Sequence, residues 1–362
     1  MNILYIANHL NTGGITSYLL ILARGLKKRG HNIYLASSGG VKLPQFIEEG
    51  VNFVRIPIKT KQELSPKIIL SMLKLHGIIK KNNIDVIHSH SRTTQVLGCL
   101  LSRSTGAAHI FTCHGFFKRR ALRRIFPCWG KKVIAISEQV KEHLINDFGV
   151  RKDDIVLIHN GIDVNSFKPV SGAKKEEARF KLGLSKGALI GIVARLSDVK
   201  GHVYLIEAFK KVLEKTPDAQ LLIAGEGKMK DELVSLIQRF GINKSVYFIP
   251  EVEDTRDVLS AIDVFVMPSL KEGLGLALME AMACGLPVVG SDIGGIRSLI
   301  KNRVNGLLVK AADAEGLSKA ISELLQNPEE AKSFGVEARA VINENFSESR
   351  MALETERVYL NV

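Results

Sequence analysis

The stretch KEGLGLALMEAMACGLPVVGSD, residues 271–292, sets two glutamates, Glu272 and Glu280, on either side of seven uncharged residues that include two glycines. Before it, residues 263–269 (DVFVMPS) are an apolar, β-branched run that reads as a buried strand. Within it, GLGLALMEAMA has the small and apolar residues of a buried helix. Gly285 stands at the expected C′ position and Pro287 lies just beyond. PVVGSD then starts another strand. The unit is therefore strand, glycine turn, buried helix, strand, which is the grammar of a parallel sheet.

The same rhythm extends outward in both directions. Apolar runs at 2–7, 32–37, 52–57, 85–90, 108–113, 132–137 and 155–160 read as strands of one half of the chain. Runs at 188–196, 219–227, 245–250, 263–269, 287–292 and 305–310 read as strands of the other half. Between them lie helical stripes, such as Ile15, Leu19, Leu22, Ala23 and Leu26 ahead of Gly30, or Ile68, Met72, Leu75 and Ile79. The polar stretch 168–175 (KPVSGAKK) interrupts the rhythm as a linker would. Two domains are expected, 1–168 and 169–345, with a last helix in 346–362. At 362 residues, 46% hydrophobic and 24% charged, the chain has the length and composition for two folded domains.

Charge is distributed unevenly. Residues 1–168 hold 25 Lys and Arg against 10 Asp and Glu, a net of +15, and residues 169–362 hold 25 against 27, a net of −2. An anionic partner for the first half is the expectation. HGFFKRRALRRIFPCWGKK (114–132) concentrates that charge, interleaving Lys118, Arg119, Arg120, Arg123, Arg124, Lys131 and Lys132 with Phe116, Phe117, Leu122, Ile125, Phe126 and Trp129. As a helix it would be a basic amphipathic surface, so residues 116–132 are expected to meet anionic lipid. No nucleic-acid recognition motif accompanies the patch. The four cysteines, Cys99, Cys113, Cys128 and Cys284, stand singly, suggesting neither a zinc site nor a disulfide framework. With no leader-like start and no apolar run of about 18 residues, the expectation is a cytoplasmic, not transmembrane, protein.

Ligands of open parallel sheets bind beyond the C-terminal ends of strands, where glycine turns enter helices. Four such junctions stand out. HLNTGGITS brings Gly13 and Gly14 to a helix start without the G-x-G-x-x-G spacing of dinucleotide folds. VARLSDVKGH places Arg195 at a strand end and Lys200 before a helix, two cations suited to clamp a diphosphate. AGEGKMKDEL is a third glycine turn. The fourth is the opening stretch, where the amides of Gly275 and Leu276 would be unsatisfied donors aimed at an anion. Eight residues of helix rise about 12 Å, more than the roughly 5–9.5 Å between glycosidase carboxyls. The two glutamates therefore suit opposite ends of one long ligand better than an acid and base pair. Glu280 sits among Ala277, Leu278, Met279, Ala281 and Met282, where a carboxylate is costly unless paired or ligand-bound.

With Glu272 and Glu280 as an E-x7-E motif, Arg195, Lys200, HNGID (159–163), the Gly13–Gly14 pair and NGLLV (305–309), the chain resembles a retaining glycosyltransferase of the GT-B fold, family 4. The resemblance implies an α/β chain of two Rossmann-like parallel-sheet domains facing each other across a deep cleft. It implies transfer of a sugar from a nucleotide-sugar donor, as substrate, to an acceptor hydroxyl, with retained configuration, no cofactor and no metal. It assigns Arg195 and Lys200 to the donor diphosphate, Glu280 to the ribose, Glu272 to the donor sugar, and Gly275 and Leu276 to backbone contacts. Gly13 and Gly14 are assigned to the phosphates, Val252 to the base, and His114, in FTCHGF, to the reacting centre. Pro250 and Leu274 stand where the family commonly has glycine and phenylalanine. His88 and His90 are read as structural. The acceptor expected is a lipid-linked, lipopolysaccharide or other cell-envelope glycan, reached from the inner face of the cytoplasmic membrane. A sugar-nucleotide epimerase or hydrolase on the same fold is the alternative, and a non-catalytic binding module is the third class.

Overall fold

In the computed structural model the β-branched runs assemble as two separate parallel sheets. The structure describes residues 1–362 apart from 61, 64, 119–122, 124, 125, 185, 186, 251 and 253. Contacts divide the chain into a first unit, Met1–Gly161 with Ser347–Val362, and a second, Ile162–Phe346.

In the first unit the strands are β1 (Asn2–Ile6), β2 (Asn32–Ser37), β3 (Asn52–Arg55), β4 (Val86–Ser89), β5 (Ala108–Cys113), β6 (Lys132–Ala135) and β7 (Ile155–Leu157), ordered β3-β2-β1-β4-β5-β6-β7. All pairs are parallel, with Ile3 opposite Ile33 on one side of β1 and Val86 on the other. Alternation along a strand sends neighbours to opposite faces. Ile3 and Tyr5 join one core with Tyr18, Leu22, Leu26 and Ala352, while Leu4 and Ile6 join another with Ile68, Leu75 and Leu97. Both faces are thus covered, which is why the strands read as continuous rather than alternating apolar runs.

Helix Glu348–Leu360 lies against helix Gly14–Lys28. Their closest approach is at Gly25, where a Cβ would fall 2.7 Å from that of Ala352. Lys28 Nζ reaches Glu348 at 2.8 Å and Arg29 Nε reaches Glu356 at 2.9 Å across the same seam.

The second unit repeats the order. Its strands, β8 (Leu189–Val193), β9 (Gln220–Ala224), β10 (Val246–Ile249), β11 (Val264–Met267), β12 (Val288–Ser291) and β13 (Leu307–Val309), run β10-β9-β8-β11-β12-β13, again parallel. In both sheets the order reverses beside the first strand, between β1 and β4 and between β8 and β11. These are the switch points where open sheets leave room for a ligand.

Two readings of the sequence are corrected here. The units divide at Gly161, ahead of the boundary read at 168/169, and the polar stretch 168–175 is not an open linker. Ser171 caps a helix, Gly172–Lys181, whose Lys175 and Arg179 both pair with Asp263. Ion pairing, not apolar burial, holds this helix, so its composition resembles a linker. Second, the basic stretch is not a single charged face. Arg123 is buried, its guanidinium 4.1 Å from the centre of the Phe117 ring. Phe117 and Trp129 lie against Phe111, and Trp129 against Phe148. Lys132 opens β6 and donates to the Asp153 carbonyl at 2.6 Å. The ring cluster takes up much of the apolar component assigned to a membrane face. Arg119, Arg120, Leu122, Arg124 and Ile125 lie outside the described residues.

Candidate active site

The loops leaving β8 and β11 meet at the switch point of the second unit. Leu270 N–H donates to the Val199 carbonyl at 2.8 Å, tying one loop to the other. Gly201 makes that contact possible. It sits at φ 72°, and a Cβ there would lie 1.9 Å from the Pro268 carbonyl oxygen. Gly201→Ala is accordingly expected to cost about 2–4 kcal/mol of stability, read as a lower urea midpoint with an unchanged slope.

This junction presents Lys200 to Glu272. The Lys200 ammonium and the Glu272 carboxylate form an ion pair with side-chain exposures of 20% and 14%. The second Glu272 oxygen accepts from the Gly273 amide at 3.2 Å. The carbonyl of Glu272 accepts from Gly295 N–H, also at 3.2 Å. Gly294 and Gly295 follow β12 and press on the same turn, where a Cβ on Gly295 would sit 2.1 Å from the Gly273 carbonyl oxygen. Arg195, just past the end of β8, is exposed and has no ion-pair partner among the described residues.

Beyond the turn, helix Leu276–Ala283 starts at Gly275 with no side-chain cap and no acidic residue in its first turn. Helices Gly14–Lys28 and His202–Lys215 start in the same way, after Gly13 and Gly201. Elsewhere Ser65, Ser137, Ser171, Asp313 and Ser347 cap their helices with a side-chain oxygen. A glycine cap leaves the first amides and the positive end of the helix dipole to an external anion.

Glu280 lies two turns of chain further on, its carboxyl accepting from the Thr255 hydroxyl at 2.8 Å. It keeps some accessible surface, yet enough protein surrounds the carboxyl that burial pushes its pKa up to about 7, against the opposing Thr255 hydrogen bond. A carboxyl held near neutrality at a strand-end loop is a ligand-reading group by its chemistry. Val252, expected at the base, is half-buried in the loop after β10.

In the first unit, Gly13 and Gly14 are exposed at the mouth of β1. His114 follows β5, its Nε2 3.1 Å from His90 Nδ1 and its ring 4.7 Å from Tyr18 of helix Gly14–Lys28. Burial lowers its pKa to about 3, so its imidazole is neutral at physiological pH and acts through hydrogen bonds rather than charge. His88 is packed between the Tyr359 and Thr112 hydroxyls, 2.6 Å from each. Among the described residues no group of three His, Cys, Asp or Glu is arranged to hold a metal ion.

The family model for glycosyl transferases group 1 matches residues 174–341, and that for glycosyltransferase family 4 matches 12–166. An uncharacterized glycosyltransferase of Methanocaldococcus jannaschii is 31% identical, over 96% of this chain and 94% of its own. The chain belongs to the group 1 glycosyltransferases. The UDP-Gal:alpha-D-GlcNAc-diphosphoundecaprenol alpha-1,3-galactosyltransferase of Escherichia coli is 29% identical, over 80% of this glycosyltransferase and 78% of its own length. A glycosyltransferase structure from Rickettsia africae superposes with a TM-score of 0.89 at 25% identity, covering 99% of this chain and 98% of its own. Anabaena HepE, solved with UDP and glucose, gives 0.89 at 22% over all of both chains. The architecture of this glycosyltransferase is thus GT-B.

The second unit brings Lys200, Glu272 and Gly275 together, and sets Glu280 on the helix that Gly275 begins. Sequence reasoning missed Thr255, whose pairing with Glu280 depends on tertiary structure alone. It also missed Gly294 and Gly295, although DIGG after a strand end was a visible turn signal of the kind followed at the other junctions.

Proposed function

We propose that this glycosyltransferase moves a hexosyl group from a nucleoside-diphosphate sugar to an acceptor hydroxyl, with retained anomeric configuration and without a metal ion. The observation that carries the reading is the Lys200–Glu272 pair at the switch point, beside a glycine-capped helix start. A diphosphate arriving there would meet the Lys200 ammonium, the Arg195 guanidinium and the amides at Gly275 and Leu276. These groups stabilise the charge that grows on the leaving nucleoside diphosphate. Glu272 would then turn to the hydroxyls of the donor sugar, and Glu280 would accept from the ribose. Gly13 and Gly14 offer a second set of helix-start amides, and Val252 lies where the base would be read. The acceptor hydroxyl attacks from the face that the phosphate leaves, and the departing phosphate takes its proton. His114, neutral, hydrogen bonds near the reacting carbon.

Supporting a hexosyl nucleotide donor are the UDP-sugar in the name of the Escherichia coli relative and the UDP and glucose bound in Anabaena HepE. The diphosphoundecaprenol in the former name supports a lipid-linked, cell-envelope acceptor. A peripheral place on the inner face of the membrane rests on the net charge of the first half and on the exposed Lys118, Phe126 and Lys131. No helix of the described residues is long and apolar enough to cross a bilayer.

A thermal-shift panel of UDP-, GDP- and ADP-sugars tests the donor reading. One nucleotide class should raise the melting temperature in proportion to the logarithm of its concentration above Kd. A flat response across the panel would remove the proposal, and NMR of the product anomer decides retention.

A further inference from the structure

Helix Arg92–Thr105 carries Arg92, Gln95, Cys99 and Arg103 on one stripe, since steps of three and four keep a single face. That face meets the segment 126–128. Arg92 donates to the Phe126 carbonyl at 2.6 Å and to the Pro127 carbonyl at 2.9 Å, and Gln95 donates to Pro127 at 3.0 Å. One turn beyond Cys99, the Arg103 guanidinium lies 5.9 Å from the centre of the Phe126 ring. Arg92 is itself anchored by Glu63 at 2.9 Å.

Cys128 is the next residue of the held segment. It adopts φ 53°, a left-handed conformation uncommon outside glycine, and its thiol hydrogen-bonds the sulfur of Cys99. Neither cysteine is in a disulfide; Cys99 is half-buried and Cys128 buried. The pair stands singly in sequence, 99 and 128, and only the fold joins it.

We propose that Cys99 and Cys128 form a redox-modification site for hydroperoxides, with Cys99 as the attacking thiolate and Cys128 as the resolving thiol. In the first step the Cys99 thiolate attacks one peroxide oxygen, the O–O bond breaks, and Cys99 sulfenic acid and hydroxide form. In the second the Cys128 sulfur displaces the sulfenic oxygen, which leaves as water with the thiol proton, and the S–S bond closes. Two electrons pass from the two thiols to one peroxide. The environment supports the division of roles. The hydrogen bond from Cys128, followed by the charges of Arg103 and Arg92, lowers the Cys99 pKa, whereas the Cys128 pKa is raised. Of the other cysteines, Cys113 is buried and Cys284 half-buried, and burial pushes both thiols up to about 12. The disulfide would close a covalent loop around the segment that bears His114.

The test uses the full chain treated with stoichiometric hydrogen peroxide and mapped by mass spectrometry before and after dithiothreitol. The expected product is one intramolecular link between the Cys99 and Cys128 peptides, two hydrogens lighter than the free pair and reversed by dithiothreitol. In the reduced chain iodoacetamide should label Cys99 at pH 7 at least about tenfold faster than Cys113 or Cys284. In Cys128→Ser, dimedone should trap a sulfenic acid on Cys99, and Cys99→Ser should leave Cys128 reduced. Four intact thiols after peroxide, a link that uses Cys113 or Cys284, or Cys99 oxidised without a link in the wild-type chain would each overturn the proposal. The wild-type map decides even if a variant fails to fold.

Discussion

Lys200→Ala is expected to lower kcat about 100- to 1,000-fold, the range lost when one preorganised charge-stabilising donor is removed. The donor KM should move far less. In the resting structure the Lys200 ammonium already has a partner, Glu272. A bound diphosphate therefore exchanges one anion for another around the same cation, and the ground-state gain is small. The gain grows as the sugar–oxygen bond breaks and negative charge accumulates on the leaving phosphate, which is the condition for an effect on kcat. Loss of the lysine also leaves the Glu272 carboxylate without its cation in a mostly buried turn, so stability should fall. The double variant Lys200→Ala with Glu272→Ala separates the two effects. It should recover the melting temperature that the single variant loses and recover none of the turnover. Equal recovery of both would mean that Lys200 acts only by holding the turn.

How much of this was legible in the sequence depends on the forces involved. Strand positions were readable because both sheets are covered on both faces, and continuous β-branched runs such as 2–7 and 263–269 have few other solutions. The candidate site was readable at Arg195, Lys200, Glu272, Gly275 and Glu280 because strand-end glycine turns are local. What was not readable is tertiary. Helix Gly172–Lys181 looked like a linker because its hold on the unit is the pairing of Lys175 and Arg179 with Asp263, a residue far along the chain. Arg123 looked like a surface charge because nothing local says that its guanidinium stacks on the Phe117 ring. The contact of Cys99 with Cys128 has no sequence signal, since helix register and the 126–128 segment create it together.

Glu280→Gln is expected to raise the melting temperature at pH 8 and to leave it nearly unchanged at pH 4.5. Burial raises the Glu280 pKa from its ordinary 4.5 to about 7. Between those values the folded chain binds a proton that the unfolded chain releases, so stability falls as pH rises through the window and is flat above it. The accumulated penalty is about 3 kcal/mol, reduced by whatever solvent reaches the carboxyl. A neutral amide escapes that penalty while keeping a carbonyl oxygen for the Thr255 hydroxyl. The same substitution should weaken nucleotide-sugar binding about 10- to 100-fold, the worth of a hydrogen bond to a charged acceptor. Ribose hydroxyls can donate fully only to the ionised carboxylate, so wild-type affinity should increase as pH rises through 7. In Glu280→Gln that dependence should vanish. Calorimetric titration at pH 6 and pH 8 measures it: a wild-type affinity indifferent to pH would mean that Glu280 does not receive the ribose, whatever its effect on stability.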